Sequence, residues 1–155
     1  EDSKQDDEGF AELKALAKEL EIPEDKIVWK KYISDEDLPN YYRAAGVFAL
    51  CSRYEPFGMT AIEAMACGTS TVITVHGGLF EVIQFGRQAL YADPFRPAEY
   101  GTMLALPMLY PRLAPELSVA GSRFARRHFG WTGIAKRILA IFDRVQTVRL
   151  EEPMV

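Results

Sequence analysis

Most of what marks a metal, disulfide, membrane or nucleic-acid protein is missing from this sequence. It has two cysteines and two histidines, in no pairing at the spacing of a zinc site, and no Ser-His-Asp set can be read in it. Cys51 in VFALCS and Cys67 in EAMACG read as buried ends of elements, and two thiols make no disulfide framework, so both are expected free. No apolar run approaches the roughly 20 residues of a membrane span. The opening EDSKQDDEGF has neither the basic nor the apolar region of a signal peptide, so the expectation is a soluble, cytoplasmic protein. Positive charge is not in excess either: 18 Lys and Arg against 22 Asp and Glu leave a net charge of -4, which gives nucleic acid no electrostatic footing. The first residue is Glu1 rather than Met, which points to a piece of a longer chain.

What is present is enough apolar material for one core, with 48% hydrophobic and 12% aromatic residues in 155. Phe10, Leu13, Leu16, Ala17 and Leu20 recur at helical spacing over residues 6–21. After Pro23, residues 27–29 are β-branched and aromatic and are expected to form a strand. Ser34 and Asp37 resemble a capping box, predicting a helix over 35–45 with Leu38, Tyr41, Tyr42 and Ala45 facing inward. Strands are predicted at 47–50, 71–75 and 89–91, with helices at 59–66 and 79–84 between them. Beyond Pro97 the pattern is helical and divided by Pro107, Pro111 and Pro115, and the closing helix runs from about 132 to 149 with Ile134, Ile138, Leu139, Ile141 and Phe142 as its stripe. Strands separated by helices imply a parallel sheet, so the fold class is α/β, a Rossmann-like sheet with helices on both faces. Ligands of such sheets bind beyond the carboxyl ends of the strands.

The loop after the second of these strands is the most informative. Gly58 admits a ligand close to the backbone, and the N–H groups of Met59, Thr60 and Ala61 open a helix with no partner above them. A helix start of this kind favours phosphate. Glu55 would repel a phosphate, so its place there makes sense if it accepts hydrogen bonds from sugar hydroxyls. Glu63, inside the helix, could do the same for a ribose. The two acids would bracket a nucleotide sugar.

With those residues in view, EPFGMTAIEAMACG resembles the signature of retaining glycosyltransferases of family 4, two glutamates separated by seven residues, which share the two-Rossmann-domain GT-B fold. LPNYYRAAGVFALCSRYEPFG, the Gly-Gly-x-x-Glu of Gly77 to Glu81 and ALYADPF extend the resemblance over residues 27–97. HFGWTGIAKRIL is similar to the closing segment of bacterial sucrose-phosphate and mannosylfructose-phosphate synthases. The resemblance implies that residues 1–155 are the C-terminal donor-binding domain, partial at its N-terminal end. It implies a UDP- or GDP-hexose donor, a sugar or sugar-phosphate acceptor, retention of configuration through front-face attack, and no obligatory metal or other cofactor. It assigns Glu55 to catalysis and to the transferred sugar, Pro56, Phe57, Gly58, Met59 and Thr60 to the donor, and Glu63 to the ribose. Lys31, Tyr32 and Ile33 fall where the family places its base-binding loop, although Lys30 and Lys31 read equally as a solvated face. His76, Gly77 and Gly78 line the pocket or, in the case of His76, make a structural hydrogen bond. Glu81 is expected to cap a loop, and Arg123, Arg126, Arg127 and His128 to form an exposed helix face.

Two departures bear on activity. The family's Gly-Arg and following Lys, which neutralise the donor pyrophosphate, have no counterpart here, and Arg53 is expected at the surface rather than in their place. The acceptor-binding N-terminal domain is also missing, so the 155 residues alone are expected to be inactive. Cys51 replaces the proline usual before the serine. The competing reading is a non-catalytic binding or assembly module of the same fold.

Overall fold

A computed structural model describes residues 2–151, and side-chain burial within it for residues 9–145. The chain divides into two compact units, one ending at Ser34 and the other beginning at Asp35. In the first, helix α1 (Asp2–Glu19) is followed by a 3-10 turn at Glu24–Lys26. The strand expected at 27–29 does not form. Ile27 has extended angles, φ -122° and ψ 123°, yet no ladder includes residues 27–30. Val28 is 77% exposed, and Trp29 instead sets its ring edge-on against Phe10 of α1 at 6.0 Å. Extended propensity without a hydrogen-bonding neighbour is not a strand. Leu13, Leu16 and Leu20 of the apolar stripe are exposed.

The second unit is built on three parallel strands, β1 (Phe48–Leu50), β2 (Thr71–Thr74) and β3 (Leu90–Ala92), in the spatial order β1-β2-β3. Ala49 pairs with Val72 and Ile73 with Tyr91. β2 is central and buried along its whole length, which is why it reads as an unbroken β-branched run rather than an alternation. Successive side chains point to opposite faces and feed two clusters. Leu50, Ile73 and Ala89 join Ala61, Ile62 and Met65 of helix α3 (Met59–Ala66) on one face. Val72 and Leu90 join Tyr100 of helix α4 (Pro97–Leu109) and Leu117 on the other, where the Tyr100 hydroxyl donates to the Val72 carbonyl at 2.9 Å. Helices thus cover both faces, as expected for the class.

Helix α2 (Leu38–Ala44) begins later than expected: residues 35–37 are turn, and the Asp37 carbonyl accepts from Asn40 and Tyr41. Tyr42 is buried, whereas Tyr41 faces outward. The helix expected at 79–84 shortens to a 3-10 turn at Gly78–Glu81. Of Pro107, Pro111 and Pro115, Pro111 alone lies in a break. Pro107 sits in the last turn of α4, and Pro115 in the first turn of helix α5 (Leu113–Phe129), where its missing N–H would have had no helical partner. The closing helix α6 (Trp131–Glu151) is slightly longer than expected, and Ile138, Leu139, Ile141 and Phe142 of its stripe are exposed. Among the described residues no helix is long and apolar enough to cross a membrane.

α5 lies against α3 and closes its C-terminal end. Ser118 Oγ donates to the Gly68 carbonyl at 2.6 Å, and Arg126 donates through Nε and Nη2 to the Ala66 carbonyl at 3.0 and 2.8 Å. Arg126 is exposed, as expected, but it also satisfies a carbonyl that the helix itself leaves unpaired. Close approach requires Gly121, where a Cβ would stand 2.7 Å from the Gln88 carbonyl oxygen and 3.4 Å from Met65 Cε. Gly121→Ala is therefore expected to destabilise the chain by about 1–3 kcal/mol through overpacking. Gly101→Ala, on the exposed side of α4 with nothing within 4 Å, should be neutral or stabilising by up to about 1 kcal/mol. Denaturant unfolding of the two variants checks the contrast, and equal effects would refute the packing account.

Candidate functional site

The site is assembled at the carboxyl ends of the strands by the turn that leads from β1 into α3. Gly58 caps α3 with φ +105°, a left-handed conformation that side chains rarely adopt, and an added Cβ would also meet Leu50 Cδ2 at 3.1 Å. Through this turn the Gly58 carbonyl accepts from Ala61 and Ile62 at 3.1 and 3.2 Å. Ala61, expected free, is therefore bonded. Met59 and Thr60 have no protein acceptor for their N–H groups among the described residues and are both exposed. Two open donors at the positive end of a helix can accept an anion.

Residues 55–57 are held by the loop after β2. Glu55 donates its N–H to the His76 carbonyl at 3.0 Å, and the Pro56 and Phe57 carbonyls accept from Gly78 and Leu79 at 3.3 and 3.0 Å. The two glycines are required by contact: a Cβ on Gly77 would lie 2.8 Å from the Glu55 carbonyl oxygen, and one on Gly78 2.9 Å from that of Pro56. The structure thus brings Gly77 and Gly78 against the glutamate loop, as backbone supports. Ser52 Oγ donates to Glu55 Oε2 at 3.1 Å, which orients the carboxylate.

His76 pairs with Asp93 at the end of β3, its Nε2–H donating to Oδ1 at 3.0 Å, and its ring packs edge-on against Phe95 at 5.4 Å. The Phe95 N–H, and after it the His76 ring, hold the Asp93 carboxyl below its ordinary range. Of the two roles expected for His76, the structural hydrogen bond is the one seen. Arg53 is exposed with its guanidinium 5.4 Å from the centre of the Phe95 ring. Cys51, expected buried, is exposed, while Cys67 is half-buried; both thiols are free. Glu81 is exposed, and its side chain caps nothing among the described residues. Lys31, Tyr32 and Ile33 belong to the first unit, with Lys31 and Tyr32 exposed and Ile33 half-buried.

Glu63 stands on the exposed side of α3, and its Oε2 accepts a hydrogen bond from the Tyr42 hydroxyl at 3.0 Å. A groove of about 290 Å³ opens beside this pair, lined also by Leu38, Pro39, Ala66 and Cys67. A larger cleft of about 820 Å³ lies in the first unit between α1 and residues 22–29, and contains none of the sequence-predicted site residues. Sequence reasoning placed Tyr42 inward but did not pair it with Glu63, 21 residues away. Ser52 and Asp93 were missed as well, each being a partner that only the fold supplies.

A parallel α/β unit with helices on both faces is of the Rossmann-like class, whose ligands bind beyond the carboxyl ends of the strands. The chain belongs to the family of glycosyl transferases group 1, which matches residues 6–105. Over 142 residues, 91% of the chain, it is 52% identical to the mannosylfructose-phosphate synthase of Agrobacterium fabrum, of which it covers 31%. It is 33% identical over 84% of its length to the D-inositol 3-phosphate glycosyltransferase of Thermomonospora curvata, covering 30% of that protein. The chain therefore spans about a third of the length of these curated relatives. Among solved structures, the sucrose-phosphate synthase of Thermosynechococcus elongatus superposes with a TM-score of 0.78 at 29% identity over 88% of this chain and 34% of that one. Anabaena HepE in complex with UDP and glucose shares the fold, with a TM-score of 0.81 at 20% identity over 90% of this chain and 38% of HepE.

The Tyr42 hydroxyl gives the site a pH signature. Burial first, then the hydrogen bond and charge of Glu63, push its pKa well above the ordinary value of 10.0. The folded state thus keeps a proton that the unfolded chain releases near pH 10, so this contribution to stability is complete below pH 10 and is lost as pH rises further. In a phenolate absorbance titration, the difference between wild type and Tyr42→Phe is expected to show no ionisation at pH about 10 and to appear only with alkaline unfolding. Ionisation of Tyr42 at its ordinary pH in the folded protein would contradict the geometry.

Proposed function

We propose that this chain is the C-terminal, donor-binding domain of a retaining hexosyltransferase. It holds a UDP- or GDP-hexose and, with the N-terminal domain of a longer parent, transfers the hexose to a sugar phosphate such as fructose 6-phosphate. The observation that carries this reading is the single short segment that sets Glu55, the open N–H groups of Met59 and Thr60, and Glu63 in succession around one helix start. Phosphate at the N–H groups places the transferred sugar toward Glu55 and the ribose toward Glu63. Glu55 then orients the donor and stabilises the positive charge that develops at the anomeric carbon, while the leaving phosphate takes the acceptor's proton. The 52% identity to a mannosylfructose-phosphate synthase supports the sugar-phosphate acceptor, and the fold shared with HepE, whose structure holds UDP and glucose, supports the nucleotide-sugar donor. The acceptor half of the site comes from the parent's other domain, so the 155 residues alone do not turn over.

The two glutamates separate on mutation. In the complete protein, Glu63→Ala removes one or two charge-assisted hydrogen bonds, each worth about 1.5–3 kcal/mol, and is expected to weaken both the nucleoside diphosphate and the intact donor. Glu55→Ala should leave UDP or GDP binding nearly unchanged and lower the rate of transfer. Calorimetry with the nucleoside diphosphate beside steady-state kinetics decides it. Loss of nucleotide affinity in Glu55→Ala with retention in Glu63→Ala would reverse the assignment.

A further inference from the structure

We propose that Tyr42 is a positioning residue for ribose recognition, its hydroxyl holding one oxygen of Glu63 so that the other is left to accept from the ribose hydroxyls. The inference rests on the reading of Glu63 as the ribose acceptor and goes on to say what makes that residue competent. A glutamate on an exposed helix face is free to change rotamer, and it would lose that freedom on binding. Glu63 is restrained before any ligand arrives, by a donor 3.0 Å from Oε2.

The restraint is only as good as its anchor, and Tyr42 is fixed on several sides. The residue is 6% exposed. Its ring packs edge-on against Phe48 of β1, with centroids 5.5 Å apart and planes at 80°. Its carbonyl accepts from the buried Thr69 hydroxyl in the turn after α3. The direction of the bond is also set, since an ionised carboxylate can only accept and the phenol must donate. β1, α2 and the turn after α3 therefore converge on Tyr42, whose hydroxyl meets Glu63 at the rim of the groove lined by Leu38 and Pro39. Preorganisation of this kind raises affinity without adding a contact to the ligand.

The test compares UDP and GDP with their 2′,3′-dideoxy counterparts, by calorimetry on the complete protein and on its Tyr42→Phe and Glu63→Ala variants. Tyr42→Phe keeps the ring and its packing, and a thermal melt verifies the fold. Wild type is expected to prefer the ribose form by about tenfold or more, a preference lost in Glu63→Ala. Tyr42→Phe should reduce that preference several-fold while changing dideoxynucleotide affinity little. Equal loss for both ligands in Tyr42→Phe, or an unchanged preference, would overturn the positioning role while leaving Glu63 in place. A preference that survives in Glu63→Ala would instead remove the reading on which the inference rests.

Discussion

The structure depends on how helix α3 is held. Its inner face, Ala61, Ala64 and Met65, is wholly buried, with Ala61 and Met65 in the cluster on one face of the sheet. Its C-terminal end is closed by donors from α5, with Arg126 on the Ala66 carbonyl and Ser118 on that of Gly68. Its start is set by the left-handed turn at Gly58. What is left uncommitted is the pair of open N–H groups of Met59 and Thr60 at that start, and the outer face, where Glu63 stands. A short helix in isolation would be marginal. Here tertiary packing fixes its axis, and the same fixation gives its polar end a defined position.

Around that helix the loops behave as supports for one another. The glutamate loop takes its shape from backbone bonds to residues 76–79, and the absence of side chains at Gly77 and Gly78 allows the two loops to touch. Ser52 and Tyr42 each direct one carboxylate, and His76 and Asp93 tie the end of β2 to the end of β3. The polar groups at the strand ends are thus aimed by neighbours that are themselves packed or hydrogen-bonded. An arrangement fixed before the ligand arrives suits binding a flexible, charged molecule at little ordering cost.

Much of this was legible in the residues. The alternation of β-branched strands with helices led to the parallel sheet, and Gly58 with the residues after it to the helix start, because both depend on local chemistry. The failures were of another kind. Residues 27–29 have strand composition, but a strand is a property of a pair, and no partner ladder forms. Pro107 was expected to break a helix that tolerates it in the last turn, and Cys51 was expected inside because its neighbours are apolar. Tyr42 with Glu63, and Arg126 with Ala66, join residues 21 and 60 positions apart. No spacing rule reaches that far, so partners of this kind emerge only from the folded chain.

The central claim is that the start of α3 receives the phosphates of a nucleotide, and it is tested most directly by amide NMR of the complete protein during titration with UDP and with GDP. One of the two is expected to shift the Met59 and Thr60 amides most, with residues 55, 57 and 58 following along the same saturation curve. Silence at those amides would contradict it, above all if Lys14, Lys18 and Trp29 around the larger cleft of the first unit responded instead.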